Sequence, residues 1–153
     1  MPDTSQEAHF QSAAQRHFRD ADFLRKDSRL PTADHLYGFA AECAVKSLLL
    51  RLTEVTMSSS KPHAPHPDDP DRIIEFGHIN ELIKDVAVLA RGRTAGPLHS
   101  ALDGDLRVFK KWHVKYRYFD GGYVKPEVVG ERRDAAHRIL SLHEYVVLNG
   151  RLP

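Results

Sequence analysis

Residues 33–53, ADHLYGFAAECAVKSLLLRLT, constrain the fold more than any other stretch of the chain. Leu36, Tyr37, Phe39, Ala40, Ala41, Cys43, Ala44, Val45, Leu48, Leu49, Leu50 and Leu52 leave almost no polar face. A helix that is apolar on most sides must be enclosed by other elements. Charged residues interrupt this one, and no run approaches the ~18 apolar residues of a membrane span, so it is expected as the central helix of a bundle. Glu42 and Lys46 lie four apart on it, Glu first, and can pair on one face.

The flanking sequence supplies the enclosure. Thr4 and Glu7 form a capping-box pattern, after which Phe10, Ala14, Phe18, Ala21 and Leu24 recur at spacings of three and four. This helix should end at 27–30, before Pro31; Thr32 is then an N-cap candidate for the central helix. Residues 57–71, MSSSKPHAPHPDDPD, hold four prolines and three serines without an apolar period, and read as a mobile loop. Helical spacing resumes at Ile79, Leu82, Ile83, Val86 and Leu89 or Ala90, and fails at Gly92 and Gly96. Pro97 suits a helix N1 position, and Leu98, Leu102, Leu106, Phe109 and Trp112 or His113 carry the next stripe toward the breaker cluster Asp120-Gly121-Gly122. Pro126 opens the last helix, with Glu127 in its first turn. Val128, Val129, Ala135, Ala136, Ile139, Leu140, Leu142 and Val146 mark its buried side, and Asn149-Gly150 closes it. No sustained two-residue alternation appears. The expected architecture is all-α: a single domain, residues 1–153, forming an antiparallel bundle of about five helices.

Composition narrows the function classes. The 22 Lys and Arg against 21 Asp and Glu leave a net charge of +1, so no global field draws the chain to nucleic acid or an anionic membrane, and any basic site must be local. The single cysteine, Cys43, excludes an intrachain disulfide framework; together with a start that lacks a signal-peptide pattern, it makes the cytoplasm the expected compartment. Cys43 reads as a small buried hydrophobe. No Gly-rich phosphate loop, HExxH or GxSxG element occurs, and no cofactor is expected. His63 and His66 with Asp68, Asp69 and Asp71 are the right ligand types for a metal, but they sit on the loop without cysteine or a rigid outer shell, so no metal site is expected there.

Four separated features stand in order: residues 37–50 (YGFAAECAVKSLLL), Gly77-His78-Ile79 with Leu82, Trp112, and Tyr116-Arg117-Tyr118-Phe119-Asp120. Their order and spacing resemble the HEPN family, over roughly residues 30–148. The resemblance implies a four- or five-helix bundle, often a homodimer, whose helix ends converge on a polar cleft. Many members are metal-independent ribonucleases of toxin–antitoxin or phage-defence systems. Others accompany nucleotidyltransferases or are proposed to bind nucleotides. Nuclease members carry an Arg followed by a His four to six intervening residues later. Laid onto Tyr116-x-Tyr118, those two positions fall on Lys111 and Tyr116, so the usual pair is absent. Six other Arg…His spacings fit (Arg29…His35, Arg72…His78, Arg93…His99, Arg107…His113, Arg132…His137, Arg138…His143), against about 2.7 that composition alone produces.

Metal-free RNA cleavage needs a group to activate the 2′-hydroxyl, a proton donor for the leaving oxygen and a cation for the developing phosphorane charge. His35, His113, Lys46, Arg117 and Tyr118 are the residue types for those roles, with His35, His113 and Arg117 the catalytic candidates. His35 has the alternative of a capping or packing histidine. Lys110, Lys111, Lys115 and Arg117 interleave with Trp112, Tyr116 and Tyr118, a pattern that suits phosphates and stacked bases as well as a solvated bundle face. Lys46, Lys111, Tyr116, Arg117 and Tyr118 are therefore the nucleotide-binding candidates. Arg117 is also expected to reach Glu42 or Asp34 as a structural ion pair. The leading expectation is nucleotide or RNA interaction by a HEPN-like accessory or partner subunit. A ribonuclease with a displaced His and Arg, and a structural interaction domain for a partner such as a nucleotidyltransferase, are the alternatives.

Overall fold

The computed structural model describes residues 5–92 and 94–153. Helix α1 spans Gln6–Lys26; Ser5 caps it, accepting from the Ala8 N–H at 3.3 Å. The expected cap Thr4 lies outside the described residues, as does Arg93 of the Arg93…His99 spacing.

Helix α2, Leu30–Leu52, begins earlier than the sequence suggests. Pro31 falls inside its first turn, where the missing N–H costs no helical hydrogen bond, so Thr32 is a helix residue and not the cap. Tyr37, Ala40, Ala41, Ala44, Val45, Leu48 and Leu49 are fully buried, as the apolar circumference of this segment requires. Two helices flank α2 in opposite senses. Against α1 the pairs are Tyr37–Asp22 at 2.5 Å, Ser47–Glu7 at 3.0 Å and Arg51–Gln11 at 3.1 Å, so α1 and α2 are antiparallel. Helix α5, Pro126–Asn149, pairs with it as Asp34–Arg132 at 2.6 Å and Ser47–His143 at 2.7 Å. Residue numbers rise together along both helices, so α2 and α5 run parallel. This corrects the antiparallel expectation, and the 73 residues between these helices supply the crossover that a parallel pair requires.

The crossover is not purely helical. Strands β1 (Thr56–Met57), β2 (Pro62–His66) and β3 (Asp69–Glu75) form an antiparallel sheet in that order, where the sequence suggested a loop over 57–71. The molecule is thus mainly helical with a small sheet, and not all-α. The prolines that argued against strands occupy the tolerated places: Pro62 opens β2, Pro65 sits at the register shift and Pro70 is in the edge strand β3. Ala64, Ile74 and the following Phe76 tie the sheet into the core.

Helix α3 spans Ile79–Leu89 and α4 spans Gly96–Arg107. The stripe expected to run on to Trp112 leaves helical geometry at Arg107. Backbone bonds Val108→Asp105, Phe109→Leu106, Lys110→Arg107 and Trp112→Phe109 tighten the chain into three-residue turns that swing Phe109 and Trp112 into the core. Trp112 packs on Gly38, and its Nε1–H donates to the Asp34 carbonyl at 3.2 Å. A 3-10 helix, Val114–Tyr118, and the turn through Gly121 (φ 90°, against Pro31) then lead to α5, which Gly150 ends in the left-handed conformation. Among the described residues no helix is long and apolar enough to cross a membrane.

Candidate functional site

Parallel packing places the N-terminal ends of α2 and α5 side by side, and the segment 111–125 closes over them. Two adjoining cavities result. The larger, about 260 Å³, is lined by Asp34, Lys111, Tyr116, Tyr123, Val124, Lys125, Val128 and Arg132. The smaller, about 180 Å³, is lined by Pro31, Thr32, His35, Tyr116, Arg117, Phe119 and Tyr123. Tyr116 and Tyr123 border both, with rings stacked at 4.6 Å between centroids, and Phe119 leans on them from 5.3 Å and 6.1 Å.

The charge around these rings is one-sided. Between 110 and 125 the only acidic residue is Asp120, whose Oδ1 accepts from the Gly122 N–H. Among the described residues, Lys110, Lys111, Lys115, Arg117 and Lys125 take part in no ion pair. Among the described residues no N-cap side chain bonds the start of α2 or α5, and their first N–H groups and positive dipole ends also lie at this end of the bundle. Arg132 is the exception to the free charge: its Nη1 binds Asp34 Oδ2 at 2.6 Å, while its Nε and Asp34 Oδ1 are buried with no partner among the described residues. Burial raises the Asp34 carboxyl, and the guanidinium beside it pulls the other way.

His35 stands at the inner wall of the smaller cavity. Its ring lies 5.1 Å from both Phe39 and Trp112, and its Nε2 is buried with no partner among the described residues. Burial holds the imidazole below the usual histidine range, with Arg117 and His78 adding to the effect, so at pH 7 it is neutral.

Of the residues singled out from sequence, the fold brings Lys111, Tyr116, Arg117 and His35 to this cleft. Tyr118 lines neither cavity; it is 74% exposed, with the Arg117 guanidinium 4.8 Å from its ring centroid. Arg117 does not make the expected ion pair with Asp34 or Glu42. Arg132 takes Asp34, and Glu42 is committed to Lys46 Nζ (3.0 Å), His78 Nδ1 (3.1 Å) and the Ile79 N–H (3.0 Å), capping α3. Lys46 is buried in that network, about 16 Å further along α2 than His35 at the helical rise. It is not a cleft residue. Nor is His113, whose Nδ1 accepts from the Lys115 N–H and caps the 3-10 helix. His66 and Asp69 likewise brace their own turns, and among the described residues no three ligating side chains converge as a metal site. Burial pushes the Cys43 thiol up to about 11, leaving it inert.

Sequence reading missed Tyr123, Lys125 and Arg132. Tyr123 and Lys125 lie in a loop without periodicity. Arg132 carried a signal: Val129, Arg132, Ala136, Ile139, His143 and Val146 alternate by three and four, putting two polar residues on the buried stripe. Comparisons with protein-family models, with curated proteins and with solved structures return no match for this chain.

Proposed function

We propose that this chain is a HEPN-like nucleotide- or RNA-binding protein whose ligand occupies the cleft at the N-terminal ends of α2 and α5. The observation that carries the reading is the set of unpaired cations around the stacked Tyr116 and Tyr123. Phosphates seek uncompensated Lys and Arg, and aromatic faces accept bases without sequence preference. The two positions that align with the usual nuclease pair, Lys111 and Tyr116, both line the larger cavity. Lysine there keeps a cation for phosphate, whereas a phenol is a poor proton carrier near neutral pH. The pair is thus altered in the direction of binding without cleavage. Titration with AMP, ATP and a short single-stranded RNA is expected to give saturable binding that weakens in Lys111→Ala and Lys125→Ala. Absence of binding to all three ligands rejects the reading.

One observation favours metal-independent ribonuclease activity as a second reading. His35 and Arg117 line the same small cavity, and the neutral imidazole is in the form that accepts a 2′-hydroxyl proton while the guanidinium meets the phosphorane charge. RNA cleavage in the presence of a chelator, abolished by His35→Ala and retained in His113→Ala, would establish it.

A further inference from the structure

We infer that the cleft is built for two consecutive phosphates of a single strand, one on each side of the Tyr116–Tyr123 pair, so that it selects a dinucleotide step over a mononucleotide. This deepens the nucleotide-binding reading and rests on it. The two cavities are neighbours that share both tyrosines, and the stacked rings form the wall between them. Each lobe has its own source of positive charge: Lys111 and Lys125 in the larger, Arg117 in the smaller. Among the described residues none of these three meets a carboxylate, and all three are exposed, so their charge is free for a ligand and their removal leaves the core intact. In the larger lobe the wall also holds the Asp34–Arg132 pair, whose charges offset each other; in the smaller, the neutral His35 adds polarity without a negative charge. A mononucleotide places its phosphate in one lobe and leaves the other cationic lobe unsatisfied. A strand that turns over the tyrosine wall fills both, with its base against an aromatic edge or face.

The test compares a 5′-phosphorylated mononucleotide with a 5′-phosphorylated dinucleotide, in ribose and deoxyribose forms, on the full chain. Each phosphate contact adds to the loss of affinity with salt. The dinucleotide should show the steeper salt dependence, and its affinity should be higher at low salt. Lys111→Ala and Arg117→Ala should each weaken the dinucleotide about tenfold or more, as loss of a charge-assisted contact does, while only one of them affects the mononucleotide. Unchanged melting temperatures in both variants are expected and keep the comparison clean. Higher affinity for the ribose form would identify RNA as the source of the strand; equal affinities would identify a backbone reader indifferent to the 2′-hydroxyl. Mononucleotide and dinucleotide binding with equal affinity and salt dependence would overturn the two-lobe inference and leave the nucleotide-binding reading standing. No binding of either would reject both.

Discussion

Asp34 and Arg132 show how much depends on single residues here. The pair joins α2 to α5 across 98 residues of sequence, with side chains 3% and 8% exposed. Removing one partner strands the other charge in the interior, which typically costs ~3–5 kcal/mol. Arg132→Ala should therefore lower the melting temperature by many degrees. Arg117→Ala, at an exposed arginine outside any ion pair, should change stability by about 0.5 kcal/mol or less. Thermal melts of the two variants side by side check this, and the reverse order would disprove the assignment. Gly38 makes a second demand. A Cβ there would fall inside van der Waals distance of the indole Cε2, Nε1 and Cζ2 of Trp112, on two rigid elements. Gly38→Ala should destabilise by ~1–3 kcal/mol through overpacking and shift Trp112 fluorescence. The glycine is plain in the sequence, but its reason is a partner 74 positions away that no local pattern discloses.

Elements were legible where one face is apolar and both ends carry signals. Pro126 and Gly150 bound α5 as expected, and the periodic positions of α1 and α3 lie on their helices. Reading failed where tertiary contacts override local preference: α4 ends at Arg107 because turning there buries Phe109 and Trp112, and prolines enter β2 and β3 at positions that need no N–H. The stripe of α5 contains a further consequence. His143 binds Ser47 Oγ at 2.7 Å, and Ser47 also donates to the Glu7 carbonyl, so the imidazole Nε2 carries the proton and is the donor of the pair. Burial, with help from Arg51, lowers its pKa to about 4. The unfolded chain takes up this proton first, near pH 6.5. Stability from His143 is thus complete above about pH 6.5 and falls as pH drops toward 4, by on the order of 3 kcal/mol. Burial also lowers His17 and His35, which slope the same way, whereas the raised carboxyls of Asp34 and Asp85 slope the opposite way. Denaturant melts from pH 7 to 4 should show a shallower decline in His143→Gln than in the parent; equal slopes would remove His143 from the account.

At the scale of the molecule, the cleft exists because α2 and α5 are parallel, and they are parallel because a long crossover separates them. The sequence picked out Lys111, Tyr116, Arg117 and His35 by residue type. It did not reveal that Tyr123, Lys125 and Arg132 join them, because that juxtaposition depends on the path of 53–125 over the bundle. The small sheet is part of that path, and its side chains bear on whether the crossover is a loose loop or a packed layer. Phe76, directly after β3, is fully buried in the same core cluster as α2 and α3, with its N–H donating to the Pro62 carbonyl at 2.9 Å. Ile73, three residues earlier and inside the edge strand β3, is 63% exposed. If the sheet is a packed layer, Phe76→Ala removes a large buried ring and costs ~3–5 kcal/mol, whereas Ile73→Ala stays within about 0.5 kcal/mol. A loose loop predicts near-zero change for both. Chemical denaturation of the two variants separates these cases. The cleft should respond with the fold: Phe76→Ala, far from Tyr116 and Tyr123 in sequence, should weaken the proposed nucleotide binding only under conditions where the folded fraction falls, and binding lost at full folding would mean the crossover positions the cleft more directly than through global stability.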